Sequence, residues 1–193
     1  MKCIALTGRI ATGKTAVAQE LLTRGYLLVS LTDLLKEIVA HALSSVSVPT
    51  TLNDILADKE RYRALIQEFG TVIGFDQGGV FLSSALEVWR ESGWRNCVID
   101  NVRTDEQAEQ AARAGFHVVR LVAHREERVR RLLADGKNPD SVLAREAHHI
   151  ESGIADHLVD IQIETDHITP REIALFLDGL LEDVGEEQTN VIH

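Results

Sequence analysis

The stretch Gly8-Arg9-Ile10-Ala11-Thr12-Gly13-Lys14-Thr15 leaves this chain few ways to fold. Its pattern, G-x-x-x-x-G-K-T, works as a phosphate-binding loop only where a buried strand runs into it and a helix leaves it. Both flanks are present. Cys3-Ile4-Ala5-Leu6 is an apolar run of strand length, and Ala16, Val17, Leu21 and Leu22 recur at helical spacing until Gly25 ends the pattern. In that order the glycines let backbone N–H groups turn inward at phosphate oxygens, and the helix N-terminus adds partial positive charge. The nucleotide site is therefore expected over residues 8–16, Ala16 included. Lys14 would reach the β- and γ-phosphates of ATP, and the Thr15 hydroxyl would ligate Mg2+.

A length of 193 residues suits a single domain over 1–185, followed by a polar tail over 186–193. The net charge of −10 argues against a nucleic-acid groove as the main surface, while a loop, a lysine and Mg2+ suffice to hold a nucleotide. The expected partners are thus small-molecule nucleotides. A monomer and a homodimer both stay open. No apolar run approaches the roughly 20 residues of a membrane span, and no signal-peptide layout opens the chain. Cys3 and Cys97 both fall in buried strand patterns, which fits small buried thiols and a cytoplasmic location. No Cys/His spacing resembles a zinc site.

The rest of the chain alternates. Leu27–Leu31 reads as a second strand, followed by a helix that Thr32 or Asp33 would cap. Residues 54–70 and the 81–89 region read as amphipathic helices. Asn96–Asp100 is a third strand with a carboxylate at its C-terminal end, and Thr104 to Gln107 is a capping box opening the next helix. His117–Val122 is the fourth strand, with a basic helix after it. Leu158–Ile163 is the fifth, and Thr169 to Glu172 caps the last helix. Five strands alternating with helices predict a three-layer α/β fold, a parallel sheet with helices on both faces. Ligands in such sheets bind beyond the C-terminal strand ends, which brings the loop, Asp33 and Asp100 to one edge.

A phosphate-binding loop alone does not separate switch, motor and kinase. An Asn-Lys-x-Asp guanine reader is absent, and the third strand ends Val98-Ile99-Asp100-Asn101 rather than in the longer acidic pattern of motor ATPases. The stretches Leu6–Lys14, Val29–Glu37, Gln67–Gly74 and Ile99–Arg103 resemble the phage-type deoxynucleoside monophosphate kinases. These belong to the nucleoside monophosphate kinase branch, near dephospho-CoA kinase. The resemblance covers residues 2 to about 125. It implies strand order 2-3-1-4-5, transfer of the ATP γ-phosphoryl group to an acceptor phosphate, an acceptor-binding helical region over about 33–95, and a small helical lid over about 124–153. The chain departs from the family at Phe75, where an arginine is usual before Asp76, and at Asp135, where a lid arginine often stands.

The resemblance and the strand-end logic assign roles together. Lys14 serves the donor. Asp33 holds the acceptor or orients its attacking oxygen, or else is a plain helix cap. Lys36, Arg63, Gln67, Gly70, Asp76 and Arg103 line the acceptor side, with solvated surface positions as the alternative for Lys36, Arg63 and Gln67. Arg103 resembles the family's phosphate-gripping arginine, a use to which a guanidinium fork is suited. Arg128 and Arg131 are the lid arginines expected to close over ATP, against a solvated basic face. Asp100, with Asn101 as second choice, joins Thr15 on Mg2+. His148 and His149 are adjacent on a helical pattern and read as surface residues. Competing readings are dephospho-CoA kinase, a kinase of a modified base in DNA, and a nucleotide binder without turnover.

Overall fold

The computed structural model describes residues 1–74, 80–93, 95–140 and 154–187. Five parallel strands, β1 (Cys3–Thr7), β2 (Leu27–Ser30), β3 (Cys97–Asp100), β4 (His117–Val122) and β5 (Ile161–Glu164), form one sheet in the order β2-β3-β1-β4-β5. The helices are α1 (Lys14–Thr23), α2 (Leu31–Ser45), α3 (Leu52–Ala57), α4 (Lys59–Val72), α5 (Val80–Glu91), α6 (Asp105–Arg113), α7 (Arg125–Ala134) and α8 (Pro170–Glu187). Among the described residues no helix is long and apolar enough to cross a membrane.

Strand alternation divides the core in two. Cys3, Ala5, Cys97, Ile99 and Val118 point to one face and pack with Leu31, Leu35, Phe81, Leu82, Trp89 and Phe116 from or beside α2, α5 and α6. Ile4, Leu6, Val98, Val119 and Leu121 point to the other and pack with Val17 and Leu21 of α1 and Ile173 and Leu177 of α8. Both faces are therefore covered, which is why the strands read as unbroken apolar runs. Both cysteines are buried, free thiols, and burial pushes Cys3 up to about 11 and Cys97 up to about 12. A smaller cluster of Val39, Ala40 and Ile55, joined by Tyr62, Leu65 and Phe69, knits α2, α3 and α4 together outside the sheet.

Several boundaries differ from the sequence reading, among them the third strand, which starts at Cys97 rather than Asn96. The second strand ends at Ser30, and Ser30 itself caps α2 by accepting from the Asp33 N–H, so neither Thr32 nor Asp33 is the cap. The helix expected over 54–70 is two. Asp58 leaves helical geometry (φ −129°) and caps α4 through Arg61 N–H, while Thr51 and Asp54 close a reciprocal capping box on α3. The fifth strand starts at Ile161 because Asp156–Leu158 forms a 3-10 turn. Finally, α8 continues to Glu187, past Gly185, where the sequence suggests the chain leaves the helix.

Candidate functional site

Parallel register brings three strand ends to one edge. Ser30 lies beside Asp100, β1 pairs with both β3 and β4, and the chain leaves β1 at Thr7 directly into the loop. Gly8 has φ 136°, and a Cβ there would stand 2.2 Å from the Leu121 carbonyl oxygen of β4. Only glycine lets the loop pass that close. Ala11 (φ 60°) and Gly13 (φ 96°) are left-handed, which curls the loop back over the start of α1. Thr12 is buried and its hydroxyl donates to the Arg9 carbonyl at 2.8 Å. Lys14 Nζ lies across the loop and donates to the carbonyls of Gly8 (2.6 Å) and Arg9 (2.8 Å). Arg9, Thr15 and Ala16 are exposed around it.

Asp100 is buried at the end of β3. It accepts from the Ser30 hydroxyl, and its Oδ1 has no hydrogen-bond partner among the described residues. Burial pushes its carboxyl above the ordinary 3.8, and Asp33 adds to this, while the Ser30 hydroxyl, Lys14 and Lys36 pull the other way. These influences place Asp33, Lys14 and Lys36 electrostatically around one buried carboxylate. Lys36 is no solvated lysine: its side chain is 12% exposed and Nζ reaches Asp33 Oδ1 at 2.5 Å. Asn101, one residue on, takes a left-handed φ of 70°, uncommon for a residue with a side chain. Its amide donates to Thr32 Oγ1 at 2.8 Å and its oxygen accepts from Arg103 Nε at 3.3 Å, so Arg103 is drawn back to the strand end. Gln107 does not close the box on Thr104. Its N–H donates to Thr104 Oγ1, but its own oxygen accepts from Arg103 N–H at 2.9 Å, fixing the loop that carries Arg103.

The remaining acceptor-side residues are more dispersed. Arg63 is half-buried, Gln67 exposed and Gly70 buried, all on α4, which packs on α2 and α3. Asp76, Phe75, His148 and His149 lie outside the described residues, as does the lid from 141 to 153.

The basic helix α7 is not a uniformly solvated face. Arg125 and Arg130 are exposed, but Arg128 is 4% exposed, with Nη1 3.5 Å from the Ile10 carbonyl. Arg131 donates from Nε to Glu127 (2.7 Å), from Nη1 to the Ala11 carbonyl (3.2 Å) and from Nη2 to the Thr165 carbonyl (2.6 Å). The hydrogen bond to Arg130, then that to Arg131, pulls Glu127 down to about 2. The fold also gathers His124, Glu164 and Asp166, whose donor atoms lie within 4.8 Å of one another, although no sequence spacing suggests it. His124 opens α7, and its ring pairs with Asp166 and, at 3.0 Å, with Glu164. The hydrogen bond that the ring donates to Asp166 raises its pKa above the ordinary 6.5 and Glu164 adds to it, so the two carboxylates favour the protonated ring.

The structure of TT1252 from Thermus thermophilus matches with a TM-score of 0.56 at 21% identity, over 94% of this chain and 97% of that one. Shikimate kinase from Bacteroides thetaiotaomicron matches at 0.52 and 19% identity, covering 94% and 98%. Shikimate kinase from Acinetobacter baumannii in complex with shikimate matches at 0.52 and 16%, covering 95% and 94%. At these identities the likeness is one of fold, and it extends over nearly the whole length of each chain. No curated protein sequence matches. The sequence model of the AAA domain matches residues 4–152, from the first strand through the phosphate-binding loop to beyond α7. On that match, which takes in most of the chain, this protein belongs to the AAA domain family.

Proposed function

We propose that the protein is a kinase that moves the γ-phosphoryl group of Mg2+-bound ATP onto a nucleoside or deoxynucleoside monophosphate, giving the diphosphate. One observation carries the phosphotransfer reading. The phosphate-binding loop with Lys14, the buried Asp100 with an oxygen that has no hydrogen-bond partner among the described residues, and the Asp33–Lys36 pair occupy one sheet edge. Phosphoryl transfer asks a protein chiefly to hold two anions in line and neutralise charge. A hard divalent cation takes oxygen ligands, and the orphaned Asp100 oxygen together with the exposed Thr15 hydroxyl fits Mg2+. Held by Thr15 and Asp100, such an ion would supply positive charge to offset that of the phosphates.

In this reading Lys14 moves from the Gly8 and Arg9 carbonyls to the donor phosphates. Asp33, oriented by its ion pair with Lys36, positions the acceptor. Arg103, anchored through Asn101, grips its phosphate, with Arg63, Gln67, Gly70 and Asp76 lining the acceptor side. The acceptor class rests on the resemblance of the Gln67–Gly74 and Ile99–Arg103 stretches to the deoxynucleoside monophosphate kinases and on the cations Lys36 and Arg103 beside the edge. A second reading, an acceptor hydroxyl in place of an acceptor phosphate, has support in Asp33: a carboxylate fixed by Lys36 at the strand-end edge can accept a hydrogen bond from a hydroxyl and orient it.

The test is a coupled ADP-release assay with Mg2+-ATP against the common dNMPs and NMPs, dephospho-CoA and shikimate, with Lys14→Ala as control. Turnover with one or a few monophosphates, reduced by about 100-fold or more in the variant, is expected. Turnover with shikimate or dephospho-CoA alone would replace the acceptor assignment. ADP release that no acceptor stimulates would overturn the kinase reading.

A further inference from the structure

We propose that Thr165 is a positioning residue of the phosphate-binding loop, acting through its hydroxyl and through the Arg131 guanidinium that it orients. The inference rests on reading that loop as a nucleotide site. No motif points to Thr165. It lies just past β5, 153 residues from Thr12 in sequence, and it is 2% exposed. Its backbone N–H donates to the Val122 carbonyl at 2.8 Å, which extends the β4–β5 ladder and fixes the residue to the sheet. From that fixed point the hydroxyl donates to the Thr12 carbonyl at 3.1 Å and accepts from Arg131 Nη1 at 3.0 Å. The same Nη1 donates to the Ala11 carbonyl at 3.2 Å, and Arg131 Nη2 donates to the Thr165 carbonyl at 2.6 Å.

The consequence follows from peptide planarity. In a trans peptide the C=O of one residue and the N–H of the next point in opposite directions from one plane. Holding the Ala11 carbonyl therefore aims the Thr12 N–H, and holding the Thr12 carbonyl aims the Gly13 N–H. Arg128 Nη1, 3.5 Å from the Ile10 carbonyl, stands on the same carbonyl row and acts likewise on the Ala11 N–H. Donors from α7 and from the end of β5 thus take the carbonyl side of three successive peptides. Their N–H groups are left to the opposite side, where consecutive amides make an anion-binding concavity. The left-handed Ala11 at φ 60° is where the backbone resists this arrangement most, and it is the residue whose carbonyl Arg131 holds. Arg131 is in turn gripped from behind by Glu127 through Nε at 2.7 Å. This geometry assigns Arg131 a contact with the loop backbone in addition to the lid role expected from sequence.

Thr165→Val removes the hydroxyl at nearly constant shape, and Thr165→Ser keeps it. The probe is ADP with Mg2+, measured by isothermal titration, with amide hydrogen exchange and melting temperature recorded on the same full-length proteins. Thr165→Val is expected to bind ADP about tenfold more weakly, the factor set by one lost hydrogen bond. Exchange at Thr12 and Gly13 should quicken while Val119 and Leu121 of β4 stay protected. In turnover KM for ATP should rise by about the same factor with kcat within about twofold, and Thr165→Ser should stay within about twofold of wild type throughout. Should the valine variant not fold, Thr165→Ala makes the same comparison. Wild-type ADP affinity and exchange in the hydroxyl-free variant, or a serine variant as impaired as the valine one, would overturn the inference alone. A wild-type chain that binds no ADP would overturn the nucleotide reading, and this inference with it.

Discussion

Asp100 shows at a single residue how a site departs from what stability alone would choose. A buried carboxylate with one oxygen unpartnered among the described residues, near a second carboxylate, costs the fold free energy, which is what its raised pKa expresses. The sign is that of a carboxyl whose folded pKa lies above its unfolded value. It opposes folding once the pH has risen through both values, and that opposition fades as the pH falls towards the unfolded one. Asp100→Asn is therefore expected to leave the melting temperature unchanged or higher near pH 7, while Mg2+-dependent turnover falls by about 100-fold or more. Thermal denaturation and turnover of the same preparation check this, and a clear drop in melting temperature would contradict it. Gly8 carries the opposite lesson. A methyl group at this position meets a backbone carbonyl at 2.2 Å, and backbone cannot swing aside as a side chain can. Gly8→Ala should destabilise by about 2–4 kcal/mol, read from the denaturant midpoint.

Among the elements, α1, β1 and the loop were legible because one local pattern specifies all three. The parallel sheet followed from alternation, and its strand order from the resemblance. What the sequence hid was set by competition or by distance. Ser30, Thr32 and Asp33 can all cap a helix, and only the strand register shows that β2 stops at Ser30. Asp58 sits inside a periodic apolar pattern that gives no sign of a break, because α3 and α4 bury their residues in the same small cluster. The network around α7 joins residues 34 to 120 positions apart, beyond any spacing rule. At the start of α7, His124 pairs with Asp166 and Glu164, and its folded pKa is raised. The stabilisation is fully present below the unfolded value of about 6.5 and is lost as pH rises through the folded value. The difference in melting temperature between wild type and His124→Asn should therefore be largest near pH 6 and shrink on the alkaline side. A difference that grows with pH would contradict the pairing.

For the whole molecule, the sheet separates stability from function. Trp89 is 1% exposed, meets Phe116 edge-on with centroids 4.8 Å apart and donates Nε1 to the Arg95 carbonyl at 2.8 Å. It packs on the sheet face opposite the one that carries α1. Trp89→Ala should cost about 3–5 kcal/mol in chemical denaturation, yet ADP affinity measured well below the melting point should hold within about twofold. The strand ends bring the loop, the buried acid and the acid–lysine pair to one edge, where the proposed reading puts donor and acceptor. The most direct measurement follows the label from γ-32P-ATP in the presence of Mg2+ and each monophosphate in turn. The account predicts label in a nucleoside diphosphate, one equivalent per ADP formed, abolished by Lys14→Ala. Label released only as inorganic phosphate, or retained in bound ATP whatever acceptor is supplied, would contradict it.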